Sequence, residues 1–367
     1  KGARVYPKLR QMSILRGNGV VDIHVLKDDL TAGAFIRTMT FKAGTDILLS
    51  EQDKEKRTEY FYNYQAGKPW HKDLEQKHLP VSSRVTAVDN GELLASSETI
   101  GYDTTRDVST IRITNEVMQV THVEEKDKKG TTVRKFEGIG LKSAFVAQKV
   151  VEGNGEGKTY LWDDEAKKEI GNPIQTSKKD QPNDKSQYYI SITNELSGLT
   201  WRELRDKDDW IIRKFENNRI TVPDYSGKWG KRYGIPDWTR TYAPDKDGNI
   251  AEDTAHLFTT AETLDVKDGK VYIQITNHKT GLVWKEVKDG RGRLSEKYTV
   301  EEINGTLTST EETELTYDSR IVLDVAYQSK TTNTHPTSYL RGKVIDESHL
   351  RYADGSEIDL NKVDITK

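Results

Sequence analysis

The segment Asp224 to Trp238 gathers four aromatic rings, three cations and three glycines. The rings are Tyr225, Trp229, Tyr233 and Trp238; the cations are Lys228, Lys231 and Arg232. An aromatic face packs against the apolar face of a pyranose, and a Lys or Arg beside it pairs with phosphate or carboxylate. Glycine-punctuated loops expose their rings, so these seven residues form the candidate ligand-binding set. Teichoic acids, uronic sugars and muramyl peptides carry the matching chemistry. The competing structural reading is a plug whose rings fill the seam between neighbouring modules.

A second pattern surrounds this segment. Asn115 to Phe136, Asn194 to Phe215 and Asn277 to Tyr298 each place an Asp 12 residues and a ring 21 residues after the Asn. The last two read Ile-Thr-Asn-x-x-x-Gly-Leu-x-Trp, ending in Trp201 and Trp284, whereas the first has His122 at the Trp position. A looser copy aligns Asn63, Gly67 and Trp70 at the same offsets. Trp70, Trp201 and Trp284 are aromatic enough to hold a sugar, but recurrence at one register points to a core position that each copy fills.

Other chemistry is thinly represented. Asp245-Lys-Asp247-Gly248-Asn249 alternates oxygen side chains around a glycine but lacks the Glu that closes an EF-hand, so it reads as a polar turn. The eight His are scattered, without His-Glu-x-x-His or another tight ligand pair, and His71 and His78 lie on a polar-looking stretch. No Gly-x-Ser-x-Gly, phosphate-binding glycine loop or dinucleotide fingerprint occurs. The expectation is a non-catalytic protein with no cofactor and no metal.

Composition narrows the partner. The chain has 367 residues, 31% charged and 34% hydrophobic, a lean interior that suits small modules better than one large core. Its 56 basic and 59 acidic residues are interspersed, for a formal charge of −3, so no whole-protein field draws in nucleic acid. Cysteine is absent, which excludes disulfides and thiolate chemistry. No apolar run reaches the roughly 18 residues that span a bilayer. The first residue is Lys, as in a processed or excised chain, and Leu79-Pro80-Val81-Ser82-Ser83 lacks the context of a wall-sorting signal.

The elements that must position these residues read as strands. Tyr188 to Thr193, Leu199 to Leu204 and Trp210 to Phe215 alternate apolar and polar side chains around turns at Asn194-Gly198 and Asp206-Asp209, a three-stranded meander. Val271 to Thr276, Leu282 to Val287 and Leu294 to Val300 repeat it. Upstream, Arg240 to Ala243, Ala255 to Thr259 and Glu262 to Val266 look extended. Glu51 to Tyr64 is the best helical stretch, and at most one or two short helices are expected. A lone three-stranded sheet buries too little, which predicts closure of each unit into a small barrel.

Tyr188-Tyr189-Ile190 followed by Gly198 and Trp201, and Val271-Tyr272-Ile273 followed by Gly281 and Trp284, resemble bacterial SH3-like cell-wall-binding modules. Tyr242-Ala-Pro-Asp-Lys-Asp-Gly-Asn249 is similar to the opening of wall-binding repeats in Lactobacillus surface-layer proteins. So are Lys42-Ala-Gly-Thr45 and Tyr60 to Lys68 near the head of the chain. Two residues separate Gly from Trp here, where the family often has them adjacent, and the chain is not basic. The resemblance implies an all-β array of tandem small SH3-like barrels with few short helices. Its modules would span 1–80, 81–141, 142–221 and 222–303, with a degenerate module or extension over 304–367.

The resulting expectation is a secreted Gram-positive cell-envelope protein, at the cell surface or in the wall. It would bind cell-wall polymer, polyanionic or neutral glycan, and self-assemble as a surface layer, without nucleic-acid partners or a transmembrane segment. The alternative is an adhesion or receptor-binding protein of bacterial or phage origin with partner-specific loops.

Overall fold

The computed structural model describes residues 11–26, 32–65, 67–137, 145–150, 156–163, 168–180, 187–195, 197–207, 209–317, 326–349 and 351. The expected 304–367 segment thus ends outside the described residues. The chain divides into two compact units, Lys1–Glu116 and Val117–Lys367. No helix is long and apolar enough to cross a membrane among the described residues.

The first unit is an antiparallel meander of β1 (Gln11–Gly17), β2 (Val20–Leu26), β3 (Ala32–Phe41), β4 (Leu48–Gln52), β5 (Lys56–Phe61), β6 (Ser82–Ala87), β7 (Leu93–Asp103) and β8 (Val108–Asn115). Each strand pairs with the next. The short helix α1 (His71–Gln76) sits in the connection from β5 to β6.

The second unit repeats the plan. Its sheet begins with β9 (Val120–Lys126), β10 (Thr132–Glu137), β11 (Phe145–Val150), β12 (Glu156–Asp163), β13 (Lys168–Lys179) and β14 (Tyr188–Asn194). It continues through β15 (Thr200–Arg205), β16 (Ile211–Glu216), β17 (Arg219–Asp224), helix α2 (Lys228–Tyr233), β18 (Trp238–Tyr242), β19 (Leu257–Lys267) and β20 (Lys270–Asn277). The last strands are β21 (Val283–Lys288), β22 (Leu294–Ile303), β23 (Thr306–Thr316), β24 (Gln328–Asn333) and β25 (Val344–His349). Again every strand pairs antiparallel with its successor.

Turn chemistry writes this meander. In the repeated template, Asn194 and Asn277 open the first hairpin: Gly198 N and Gly281 N donate to their carbonyls, and Ser197 N and Lys279 N to their side chains. The glycines take φ +70° and +73°, where a Cβ is penalised. Asp127, Asp206 and Asp289 accept amides four residues on, those of Thr131, Trp210 and Arg293, in the second turn. Tight pairs Asn217-Asn218, Asp268-Gly269 and Asn304-Gly305 all adopt positive φ, the signature of two-residue hairpins that match the twist of their strands.

The all-β class therefore holds, with two short helices. The small barrels expected from the resemblance are not shown: no ladder among the described residues joins the first and last strands of a module, so no barrel closes. The physical reason lies in the strand faces. Strands β9, β16 and β24 are half-exposed at every position, without the buried-exposed alternation a closed core requires. Only fifteen hydrophobic side chains are buried among the described residues. Sheet stability must then come largely from cross-strand pairs, each worth about 0.2–1 kcal/mol. On β14 to β16, Arg202 lies 3.9 Å from the ring centroid of Tyr189, which in turn meets Phe215 at 6.2 Å.

Two local expectations are corrected. Glu51 to Tyr64 is not helical but forms the end of β4 and all of β5, turning at Asp53, whose carboxylate accepts the Glu55 and Lys56 amides. Asn63, Gly67 and Trp70 belong to the connection that leads into α1, not to a hairpin. The template's hairpin geometry recurs instead at Val85-Thr86-Ala87, where Gly91 N donates to Ala87 O and Ala87 N to Glu92 O.

His71, expected on a polar stretch, is buried at 2% exposure beside fully buried Leu74. Its Nδ1 accepts the Gln65 amide at 2.6 Å, so the neutral ring carries its proton on Nε2. Burial, with Lys68 adding to it, lowers the His71 pKa below the ordinary histidine value. An unfolded chain would bind that proton first, so His71 stabilises the first unit above pH about 6.5 and this contribution is lost as pH falls towards the folded value. Amide exchange around Leu74 is expected to accelerate between pH 6.5 and 5 after correction for intrinsic rates. A His71→Gln variant, which keeps an acceptor for the Gln65 amide, should lose that acceleration; an unchanged pH response in the variant would refute the assignment.

Candidate functional site

The Asp224–Trp238 connection is built around one carboxylate. Asp237 accepts the amides of Gly227, Trp229 and Gly230, each at 2.9 Å, and so holds the first turn of α2. The connection is then sewn to β19: Trp229 Nε1 donates to Thr263 O at 3.1 Å, Thr263 N to Asp237 O, and Thr263 Oγ1 to Pro236 O. Among the predicted site residues, Lys228 lies 4.0 Å from the Trp229 ring centroid, and Trp229 and Tyr233 stack at 5.9 Å. Arg232 approaches Tyr233 at 6.0 Å, while Tyr225 is drawn away to Trp210 at 4.7 Å. Lys231 is exposed in the last turn of α2, and Trp238 is 37% exposed on β18. These contacts gather Lys228, Trp229, Tyr233 and Arg232, while Tyr225 packs on Trp210.

The same device recurs in the first unit. Thr99 N donates to Val81 O and Thr99 Oγ1 to Pro80 O, so the α1 connection is tied to β7 as the α2 connection is to β19. Thr99 pairs with Ile111, four residues before Asn115, as Thr263 pairs with Ile273, four before Asn277. This longer repeat escapes a sequence comparison that starts at the Asn, because its anchors are a Pro and a Thr separated by a strand.

A different set of side chains recurs on the open sheet of the second unit. Nine residues after each template Asn stands Glu124, Glu203 or Glu286, and twenty after it Lys135, Lys214 or Lys297. Each Glu lies directly opposite its Lys on the next strand. Trp201 Nε1 donates to Glu203 Oε1 at 3.0 Å and Trp284 Nε1 to Glu286 Oε1 at 2.8 Å. In the first copy the template's His122 takes the indole's place, with Nε2 3.2 Å from Glu124 Oε1. Lys214 and Lys297 lie 5.2 and 5.9 Å from the centroids of Trp201 and Trp284. Each cluster therefore joins a flat ring, a carboxylate and an ammonium on one face. The Trp201 and Trp284 rings, expected at a core position, are half-buried.

Electrostatics fix the carboxylates. His122 beside Glu124, helped by Lys126 and Thr132, pulls its carboxyl down to about 2. Glu203 is 5% exposed and is held by Arg205 through Nε at 2.9 Å and Nη2 at 2.5 Å as well as by the indole.

Register connects the clusters. Direct cross-strand partners run Glu124, Lys135, Gln148, Thr159, Gln175, Asn194 across β9 to β14. They run Glu203, Lys214, Thr221, Thr241, Thr259, Asn277 across β15 to β20. The third run is Glu286, Lys297, Thr313, Thr331, Asp346 from β21 to β25. Directly opposed residues share a face, so the three clusters lie on the same face of the second unit's sheet, six strands apart along the ladder, and that sheet curls, since the Gly269 amide in the β19–β20 turn donates to Val117 O at 3.2 Å. Hydroxyls join within these rows, Thr221 to Thr241 at 3.3 Å and Thr313 to Thr331 at 3.0 Å. The Glu and Lys offsets were present in the sequence but lay beyond the turn residues that drew attention.

Next to the third cluster the face opens into a cavity of about 380 Å³ lined wholly by polar residues, among them Glu301, Glu311, Asn333 and His335. Thr299, directly opposite Trp284, is part of its wall. The Asp245 loop is a turn in which Asp245 accepts the Asp247 and Asn249 amides. Among the described residues no group of three or more His, Asp or Glu is arranged to hold a metal ion.

Fold and sequence together define an all-β repeat protein of antiparallel meanders in which a ring, a carboxylate and an ammonium recur at one register. Compared with protein-family models and with curated proteins, the sequence finds no match.

Proposed function

We propose that the chain is a non-catalytic secreted cell-envelope protein that binds a repeating wall glycan along the periodic face of its second unit. The observation that carries the reading is the recurrence of the ring-carboxylate-ammonium cluster at six-strand intervals. A ring offers a stacking plane for a pyranose and the Lys a donor for hydroxyl or phosphate groups, while the Glu, bound to the ring nitrogen, fixes the ring's orientation. Three weak sites on one scaffold gain affinity through effective concentration when the ligand is itself repetitive. The likeness to SH3-like wall modules enters as a likeness of the repeated three-stranded element, and supports wall polymer as the ligand and the cell surface as the place. In this reading the rings of the Asp224–Trp238 connection tie α2 to the sheet rather than form the main ligand surface.

Co-sedimentation of the purified chain with cell-wall sacculi, before and after teichoic-acid extraction, tests the proposal. Binding in at least one preparation is expected. Absence of binding in both, with binding to host-cell proteins instead, would replace it by the receptor-binding alternative.

A further inference from the structure

We infer that the cavity beside the third cluster is a subsite for a single sugar unit carrying a free amino group. The inference rests on the wall-glycan reading only in taking the ligand to be a sugar; the cavity itself is independent of it. Its lining includes Thr299, Glu301, Glu311, Asn333, His335 and Thr337, without one apolar side chain. A volume of about 380 Å³ lies at the lower end of small-molecule sites and suits one sugar ring.

Charge chooses among sugars. Neither Glu301 nor Glu311 has an ion pair or side-chain hydrogen bond among the described residues, and no Lys or Arg lines the cavity. Two carboxylates without a cation make the space negative, which favours an ammonium group and disfavours phosphate and uronate. The remaining lining groups are hydroxyls, an amide and an imidazole, donors and acceptors of the kind that satisfy ring hydroxyls. His335 is held by Thr337, whose amide lies 3.3 Å and whose hydroxyl lies 3.2 Å from Nδ1, and the His335 amide donates to Asn333 Oδ1 at 3.2 Å. The loop is also pinned to the sheet, with Thr334 N donating to Thr310 O and Ser309 Oγ bonded to Thr334 Oγ1 at 3.0 Å. The site is an open depression in which Glu301 and Thr337 are exposed, and these bonds hold its loop in place.

Its position links it to the face. Thr299 is the cross-strand partner of Trp284 on one side and of Glu311 on the other. A glycan whose amino sugar enters the cavity would lay its next unit over the Trp284 ring.

Titration calorimetry of the full chain with glucosamine, glucose and N-acetylglucosamine tests the inference at pH 7. Glucosamine is expected to bind at least tenfold more tightly than either neutral sugar. Glu311→Gln, nearly isosteric, should abolish the preference, and Thr337→Ala in the loop should weaken glucosamine binding without a change in unfolding midpoint. Equal affinities for the three sugars, a preference that survives both Glu301→Gln and Glu311→Gln, or displacement of glucosamine by millimolar calcium would overturn it. Sacculus binding with no glucosamine preference would refute the subsite alone; a glucosamine preference without sacculus binding would refute the wall reading alone.

Discussion

Replacing Gly230 by alanine is expected to dislodge α2 and destabilise the second unit by about 3 kcal/mol or more. A Cβ at this position would lie 2.2 Å from Tyr225 O and 2.3 Å from its Cα, backbone atoms that cannot rotate aside. The helix would have to leave the loop, and with it would go the Trp229 indole bond to Thr263 O. Asp237→Ala should act on the same joint by another route. It removes the acceptor of three amides, and each orphaned, partly buried donor costs on the order of 1–3 kcal/mol before water compensates. Urea midpoints and proteolytic nicking between residues 224 and 238 measure both effects. An Asp237→Asn chain, which retains one acceptor oxygen, should fall between the wild type and the alanine variant. A Gly230→Ala protein with an unchanged midpoint and no new cleavage would contradict the tight joint.

The second large effect concerns ligand rather than stability. Trp201→Ala with Trp284→Ala leaves the His122 cluster as the one intact site of the three. Both indoles are half-buried, so each truncation should also lower the midpoint, and circular dichroism must show the double variant folded before its binding is compared. Loss of a central aromatic anchor costs on the order of 2 kcal/mol at a binding surface, and loss of two also removes the gain from linked sites. Affinity for sacculi is therefore expected to fall by about three orders of magnitude.

Much of the second unit was legible in the sequence, and the reason is local. Asn194, Gly198 and Asp206, like Asn277, Gly281 and Asp289, act through hydrogen bonds that reach four residues or fewer, so their turns can be read without knowing the partner strand. The strands they delimit fall within one residue of expectation except β22, which runs three residues further, to Ile303. Ala255 to Thr259 and Glu262 to Val266 differ by merging into the single strand β19, whose register shifts between Thr263 and Asp265. Glu51 to Tyr64 was misread because its run of Glu, Lys and Arg suits a helix, whereas an open sheet can carry charge on both faces. Arg57 meets Glu59 there at 2.8 Å, and Arg37 meets Glu51 at 3.0 Å.

Closure was the larger miss. Period-two alternation shows that a strand has two faces but not that one of them is sealed, and the residues that keep these sheets open are polar ones paired across strands. Glu203, at 5% exposure, is tolerated because Arg205 and the Trp201 indole satisfy it, and Lys214, Thr221 and Thr241 continue its row with half-buried polar groups. The candidate site was partly legible. Trp201 and Trp284 stood out, but their value as surface residues follows from Glu203 and Glu286 beside them and from lysines on the next strand, contacts that only the register reveals. Of the Asp224–Trp238 rings, Trp229 fastens the six-residue helix to β19 through Thr263 O, a partner 34 residues away that the sequence does not announce.

The central claim is that the clusters act together on one repetitive ligand, and affinity as a function of ligand length tests it most directly. Size-fractionated wall-glycan fragments, titrated calorimetrically against the intact chain, should show a step in apparent affinity once they are long enough to engage two clusters at once. That step should disappear in the Trp201→Ala, Trp284→Ala chain. Affinity that does not change with fragment length, or a step that persists in the double variant, would contradict the account.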